Sequence, residues 1–402
     1  MRGGRAILVG ALAAALLATF SIPVAGHHVG RPIGSFSNCQ RPGIDPPRCS
    51  SVGNDLRHHV VFDASLTAGL AESLRDTIFE DYDPTKLEMF LDGAITADTD
   101  VIAFSQDYGS NGAAGWVYCP PDARQGINRQ HHRWCQHQEL HFNLNPSVAV
   151  FFADDGSRDH VACHELGHTL GLRHWGNPPE SAGPPAATCM NADTPDGPPD
   201  LHQVDREHID LYRYSTLPPA LQPVPLDIPE ERIRLFLRRT TWADAFVVAT
   251  ELEHYGSLAD MAAAADAVVR GRVLDVAPGR SFGGASGRGL HYAAVTLGVD
   301  EVAAGELPAT DLGRLTLEVP LFAGPDSLDG LRSGLPPNES LFFLRAKRDG
   351  SGTYRLVTMS GVVVNRDGLA ESASLEDDFL AALDGTPFAG VLAEVRRTPS
   401  TP

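Results

Sequence analysis

The chain has 402 residues, 43% of them hydrophobic and 21% charged, and carries a formal net charge of −19. That length gives room for two or three domains, and the composition is that of a globular protein rather than a disordered or fibrous one. The acidic balance argues against nucleic acid and anionic membrane surfaces as partners.

Residues 1–26 have the layout of a secretory signal peptide: Arg2 and Arg5, an apolar run from Ala6 to Phe20, then Val24, Ala25 and Gly26. The run is short for a membrane span, and no later stretch is long and apolar enough to be one. A secreted, extracellular protein is therefore expected. Residues 27–54 are rich in Gly, Pro and Ser and read as an irregular lead-in stapled by Cys39 and Cys49.

A domain is expected over residues 55–217. His59 to Phe62, Val101 to Phe104 and Gly115 to Cys119 read as strands, and Leu70, Leu74, Ile78 and Phe79 fall at helical spacing. Residues 120–133 form a polar loop. His131, His132, His137 and His141 cluster around its end, a pattern more often solvated surface than a second metal site. Glu139 to Leu144 alternates polar and apolar residues, as a half-buried strand does. Asp154, Asp155 and Ser157 can cap a helix predicted from about Arg158 to Leu170.

That helix carries Cys163-His164-Glu165-Leu166-Gly167-His168-Thr169-Leu170-Gly171-Leu172-Arg173-His174, an uninterrupted H-E-x-x-H-x-x-G-x-x-H. Residues four apart on a helix lie one turn apart on one face, so His164 and His168 can hold one zinc ion at ~2.0–2.1 Å per bond. Glu165 follows the first ligand and can act on a water without being a ligand itself. Gly171 can end the helix in a left-handed conformation, which turns the chain back and brings His174 toward the metal. Three neutral histidines leave a position open for water, the catalytic rather than the structural arrangement.

Residues 175–188 are dense in Pro, Gly and Ala and form a loop. Leu201, Val204, His208 and Leu211 then give a closing helix that ends near Tyr214. Residues 218–254 read as a proline-rich linker with a short helix from Glu230 to Arg238, across which few contacts are expected. Residues 255–395 read as a small β-rich domain. Ser257 caps a short helix, and strands follow at Val268–Val276, His291–Val299, Arg314–Leu321, Ser340–Ala346 and Tyr354–Val364. Five strands and a helix suggest an OB-like barrel.

The six cysteines are an even count in a chain read as exported, which points to disulfides with fifteen possible full pairings. Sequence order favours Cys39–Cys49, Cys119–Cys135 and Cys163–Cys189; the alternative for Cys163 is a buried thiol.

The extended motif resembles that of the metzincin clan of zinc endopeptidases, and the general look is closest to bacterial secreted matrixin-like proteases. The resemblance implies an α+β catalytic domain: a twisted mixed sheet with an active-site helix and a closing helix. It implies one catalytic Zn2+ on His164, His168 and His174, with Glu165 as general base, and a protein or peptide as substrate. Thr188-Cys189-Met190-Asn191 is similar to the clan's methionine turn, which places Met190 beneath the metal. By the same resemblance Glu139, His141 and Phe142 belong to an exposed edge strand that pairs with substrate. Clear matching is confined to residues 158–214. Trp175 follows the third histidine, and Ala192 stands where some families place a metal-supporting tyrosine, so the exact family stays open, as do calcium binding and oligomeric state, on which these residues do not bear. Pro47-Arg48-Cys49 is similar to the matrixin zymogen switch, but Ser50 replaces its glycine.

Two rival readings exist. A gluzincin-type zinc peptidase would use a distant glutamate such as Glu207 as third ligand, but His174 already sits at the metzincin spacing. A secreted binding or adhesion protein with a vestigial zinc site would have no use for Glu165.

Overall fold

The computed structural model describes residues 51–53, 56–127, 133–172, 188–190, 197–210, 249–251, 255–283, 289–322, 327–335, 337–358, 361–372 and 378–398. His174, Cys39, Cys49, His131, His132, the zymogen-like triplet and the Glu230–Arg238 helix lie outside these residues. Among the described residues no helix is long and apolar enough to cross a membrane.

The first unit contains strands β1 (Ser51–Gly53), β2 (Arg57–Phe62), β3 (Glu88–Asp92), β4 (Thr99–Gln106), β5 (Ala113–Tyr118), β6 (Arg124–Ile127), β7 (Arg133–Cys135) and β8 (Gln138–Asn143). Helix α1 (Ala68–Asp76) runs on into a wider turn through Tyr82, and α2 (Asp155–Thr169) follows β8. Helix α3 (Gln203–His208) corresponds to the start of the expected closing helix. A further strand, β9 (Ala249–Glu251), lies inside the stretch expected to be linker. The main sheet has the order β3-β2-β4-β8-β5-β9. Strands β3, β2, β4 and β8 run parallel to one another, β5 pairs antiparallel with β8, and β9 pairs antiparallel with β5.

Alternation along each strand sorts its side chains between two faces. Val60, Val101, Ala103, Leu140 and Phe142 share one apolar core with Leu70, Leu74 and Ile78 of α1 and its extension, and with Val161, Leu166 and Leu170 of α2. Burying such side chains stabilises by roughly 1.5–3 kcal/mol each, so the sheet holds α2 rigidly along its length.

The second unit begins with α4 (Leu258–Ala264), capped as expected by Ser257, whose hydroxyl accepts from the Asp260 amide at 3.1 Å. Strands β10 (Ala267–Phe282), β11 (Leu290–Gly305), β12 (Arg314–Pro320), β13 (Ser340–Ala346) and β14 (Tyr354–Leu356) follow, with α5 (Ser327–Gly334) between β12 and β13. Their pairings run β10-β11-β12-β14-β13 and return from β13 to β10, a closed ring with one parallel contact, β12 to β14. β15 (Val362–Arg366) and β16 (Leu369–Ser372) extend the sheet, and α6 (Asp378–Leu383) and α7 (Phe388–Val395) end the chain. The single strand expected over Tyr354–Val364 is thus two, β14 and β15. The Val357 amide still donates to the Phe343 carbonyl of β13, and the Gly361 amide then donates to the Thr358 carbonyl across the break.

The two units are packed together, contrary to the expectation of few contacts. Tyr108, Ala113 and Trp116 of the first form one buried apolar cluster with Leu290, Tyr292 and Phe322 of the second. The Tyr292 hydroxyl donates to the Tyr108 carbonyl at 2.8 Å. Lys347, fully buried and paired with Glu318 at 2.6 Å, sits 4.4 Å from the Tyr292 ring centre.

Candidate metal centre

The site is built on α2. Asp154 caps it by accepting from the Ser157 amide at 2.8 Å, and Asp155 adds negative charge in the first turn. The other end closes as expected. Gly171 has φ +78°, the Leu172 amide donates to the Gly167 carbonyl at 3.0 Å, and the Gly171 amide donates to His168 at 2.9 Å. These two bonds are a Schellman motif, which needs a left-handed residue and so a glycine.

The turn also serves the site. His164 Nδ1 lies 2.7 Å from the Cys189 carbonyl and His168 Nδ1 lies 2.8 Å from the Leu172 carbonyl. A carbonyl oxygen can only accept, so each Nδ1 carries the hydrogen, and each neutral ring presents a lone pair at Nε2. The two Nε2 atoms face each other 2.9 Å apart, in side chains almost wholly shielded from water. Two lone pairs at that distance are held together by a cation between them, a proton or a metal ion, and outer hydrogen bonds of this kind orient metal-binding histidines. The buried pair therefore fits a zinc ion by its donor chemistry. Among the described residues no three His, Cys, Asp or Glu side chains gather into one metal-binding group; the expected third histidine, His174, is not among them.

Glu165 is fully buried beside this pair. Its carboxylate lies against β5 at Gly115, where an added Cβ would stand 2.6 Å from Oε1 and 2.7 Å from Cδ. Only a glycine lets the strand and the carboxylate approach so closely.

Met190 is fully buried, and its Sδ and methyl group lie against Gly167 on α2, where no Cβ could fit. The Tyr82 hydroxyl closes the same space and donates to the Cys163 carbonyl at 2.8 Å. The turn is anchored from beneath. The Met190 amide donates to Thr188 Oγ1 at 3.1 Å, the Thr188 hydroxyl donates to Asp205 of α3, and the Cys189 amide donates to the Asp200 carbonyl at 2.9 Å. The Cys163–Cys189 disulfide joins α2 to the turn, with Cα atoms 5.8 Å apart, and Cys119–Cys135 closes the loop before β8. Both pairings are those that sequence order favoured.

The edge-strand role expected of Glu139, His141 and Phe142 is corrected by the topology. They lie in β8, which is hydrogen-bonded to β4 on one side and β5 on the other, so its backbone groups are already used. Phe142 faces the helices, whereas His141 faces away and stacks on Trp116 at 4.9 Å and on Phe104 at 5.3 Å. Its ring nitrogens meet the Tyr108 hydroxyl at 2.8 Å and Glu139 at 3.2 Å. Both faces of β8 are covered, which is why its polar alternation does not mark a solvated side.

Sequence reasoning missed Gly115, Tyr82 and the carbonyls of Cys189 and Leu172. Gly167 was legible as the second x of the motif, but its need for a missing Cβ was not.

No family model and no curated protein sequence matches the chain. Among solved structures it is similar to myroilysin, at 9% identity over 40% of this chain and 82% of that one, with a TM-score of 0.25. It is also similar to high choriolytic enzyme 1, a hatching-enzyme zinc protease of the medaka Oryzias latipes. There the identity is 13% over 41% of this chain and 94% of that one, with a TM-score of 0.24.

Proposed function

We propose that this protein is a secreted zinc-dependent endopeptidase of the metzincin type. The observation that carries the proposal is the pair of buried Nε2 atoms 2.9 Å apart, each fixed by a carbonyl behind it, with the Glu165 carboxylate between the helix and β5.

His164 and His168 would hold the zinc through Nε2, and the motif spacing assigns the third place to His174. The bound zinc supplies Lewis-acid activation of a water and of the scissile carbonyl. Glu165 takes the proton from the attacking water and returns it to the leaving amine, the double duty of a general base and acid. Burial holds its carboxylate in one position against Gly115, so the proton acceptor is aimed before substrate arrives. Met190 and Tyr82 form a rigid floor under the two histidines. β5, rather than β8, is the strand beside the general base and takes over the substrate-pairing role.

The signal-like N-terminus and the two disulfides support export. The closed five-strand ring, its single parallel pairing and the helix between β12 and β13 support an OB-like barrel in the second unit.

The test uses secreted protein and dye-labelled casein. The wild type should hold one zinc and cleave casein, and a chelator should stop it. Glu165→Gln should keep its zinc, because the ligands are untouched, and lose ~10²–10⁴-fold in kcat/KM. Full activity in that variant would refute the assigned mechanism.

A further inference from the structure

β5 would be the outer edge of the main sheet if β9 were absent. β9 adds to it antiparallel, pairing Ala113 with Glu251 and Trp116 with Ala249. Gly115 lies between those two pairs, and it is the residue against which Glu165 rests. An extended peptide that presents a scissile bond to Glu165 by strand addition must use the outward amides and carbonyls of residues 113–116. Those are the groups that β9 occupies, and one backbone donor cannot serve both strands.

Resting on the protease reading above, we infer that Ala249–Glu251 is an internal inhibitory strand: it fills the substrate's place on β5 and must leave before a protein substrate can bind. Three features fit this role. The strand is only three residues long, and its pairing contains a register irregularity, so its own hold is weak. It is tethered close to its target, because α4 begins seven residues after it and the barrel packs on Trp116 of the same β5. Tethering gives a weak strand a high effective concentration, and the block stays reversible. The barrel-bearing second unit thereby gains a regulatory role: a movement that draws it away from Trp116 also draws Ala249–Glu251 off the edge.

Thr250→Pro removes a backbone donor and bends the strand while leaving β5 and α2 intact. Two readouts are compared in full-length, zinc-loaded wild type and variant. One is the kcat/KM for dye-labelled casein. The other is the affinity for a fluorescein-labelled peptide with the sequence of residues 246–254. The variant should cleave casein at least ~10-fold faster and bind the peptide at least ~10-fold more tightly, because the edge is open. Equal peptide affinity in the two proteins, including no binding to either, overturns the inference, as do equal casein rates in two active proteins. Tighter peptide binding by the variant with no casein cleavage by either upholds Ala249–Glu251 as the displaceable occupant of the β5 edge, refutes the protease reading and overturns the inhibitory role that rests on it. If Thr250→Pro does not fold, the triple change A249G/T250G/E251G weakens the strand without deleting a donor, and a smaller change of the same sign is expected.

Discussion

Gly115→Ala tests whether the approach of β5 to Glu165 sets catalysis. An alanine Cβ at this position would stand 2.6 Å from Oε1 and 2.7 Å from both Cδ and Cγ of Glu165, against ordinary contact beginning at 3.4 Å. The smallest relief is therefore about 3.4 − 2.6 = 0.8 Å, taken up by the carboxylate or by the strand. Neither moves freely: Glu165 is fully buried, and Gly115 is held in register with Phe142 of β8. A misplacement near 1 Å in a reacting group can lower the rate ~10²-fold, so that is the loss expected in kcat/KM. Overpacking one methyl should destabilise the fold by about 1–3 kcal/mol. Zinc content should stay at one per chain, because the two Nε2 atoms are oriented by Cys189 and Leu172, away from β5. The assay is casein hydrolysis normalised to bound zinc, with denaturant titration alongside. A zinc-loaded variant with wild-type kcat/KM would show that the contact does not position the general base.

Replacing Cys163 and Cys189 together by serine should destabilise the protein by about 3.5 kcal/mol on the loop-entropy relation, for a loop with sequence separation 26. It should also weaken zinc about 10–100-fold, because the Cys189 carbonyl that orients His164 loses its tether; the Cys119/Cys135 double variant should leave zinc affinity unchanged, and equal affinities in the two variants would refute the orienting role. His58 is wholly buried against Thr169 of α2, and burial, aided by the neighbouring His59, lowers its pKa from 6.5 to about 4. Between those values the unfolded chain takes up a proton that the folded one refuses, so stability should fall by about 3 kcal/mol as pH drops from 6.5 to 4. His58→Gln should remove that slope in denaturation of chelator-treated protein at pH 7 and pH 4.5, and an identical slope in both proteins would contradict the assignment.

What the sequence determined on its own is local. His164 and His168 share a face because an α-helix repeats every 3.6 residues, Asp154 caps because its oxygen reaches an amide three residues on, and Gly171 turns the chain because it lacks a Cβ. The Cys119–Cys135 and Cys163–Cys189 pairings followed from order, because short loops cost less to close. The tertiary structure decided what depends on distant segments. Which strand forms the edge is not written in β8, whose alternation looks half-solvated because the cover over His141 comes from distant residues, Trp116, Phe104 and Tyr108. Gly115 carries no local signal; its role appears only when α2 brings Glu165 against it. β9 is too short to show a period, and it becomes a strand only because β5 offers it unpaired backbone groups. Residues close in sequence share a few backbone dihedrals, and those can be read from residue type. Contacts across the fold depend on how whole faces pack, and no window of sequence contains both partners.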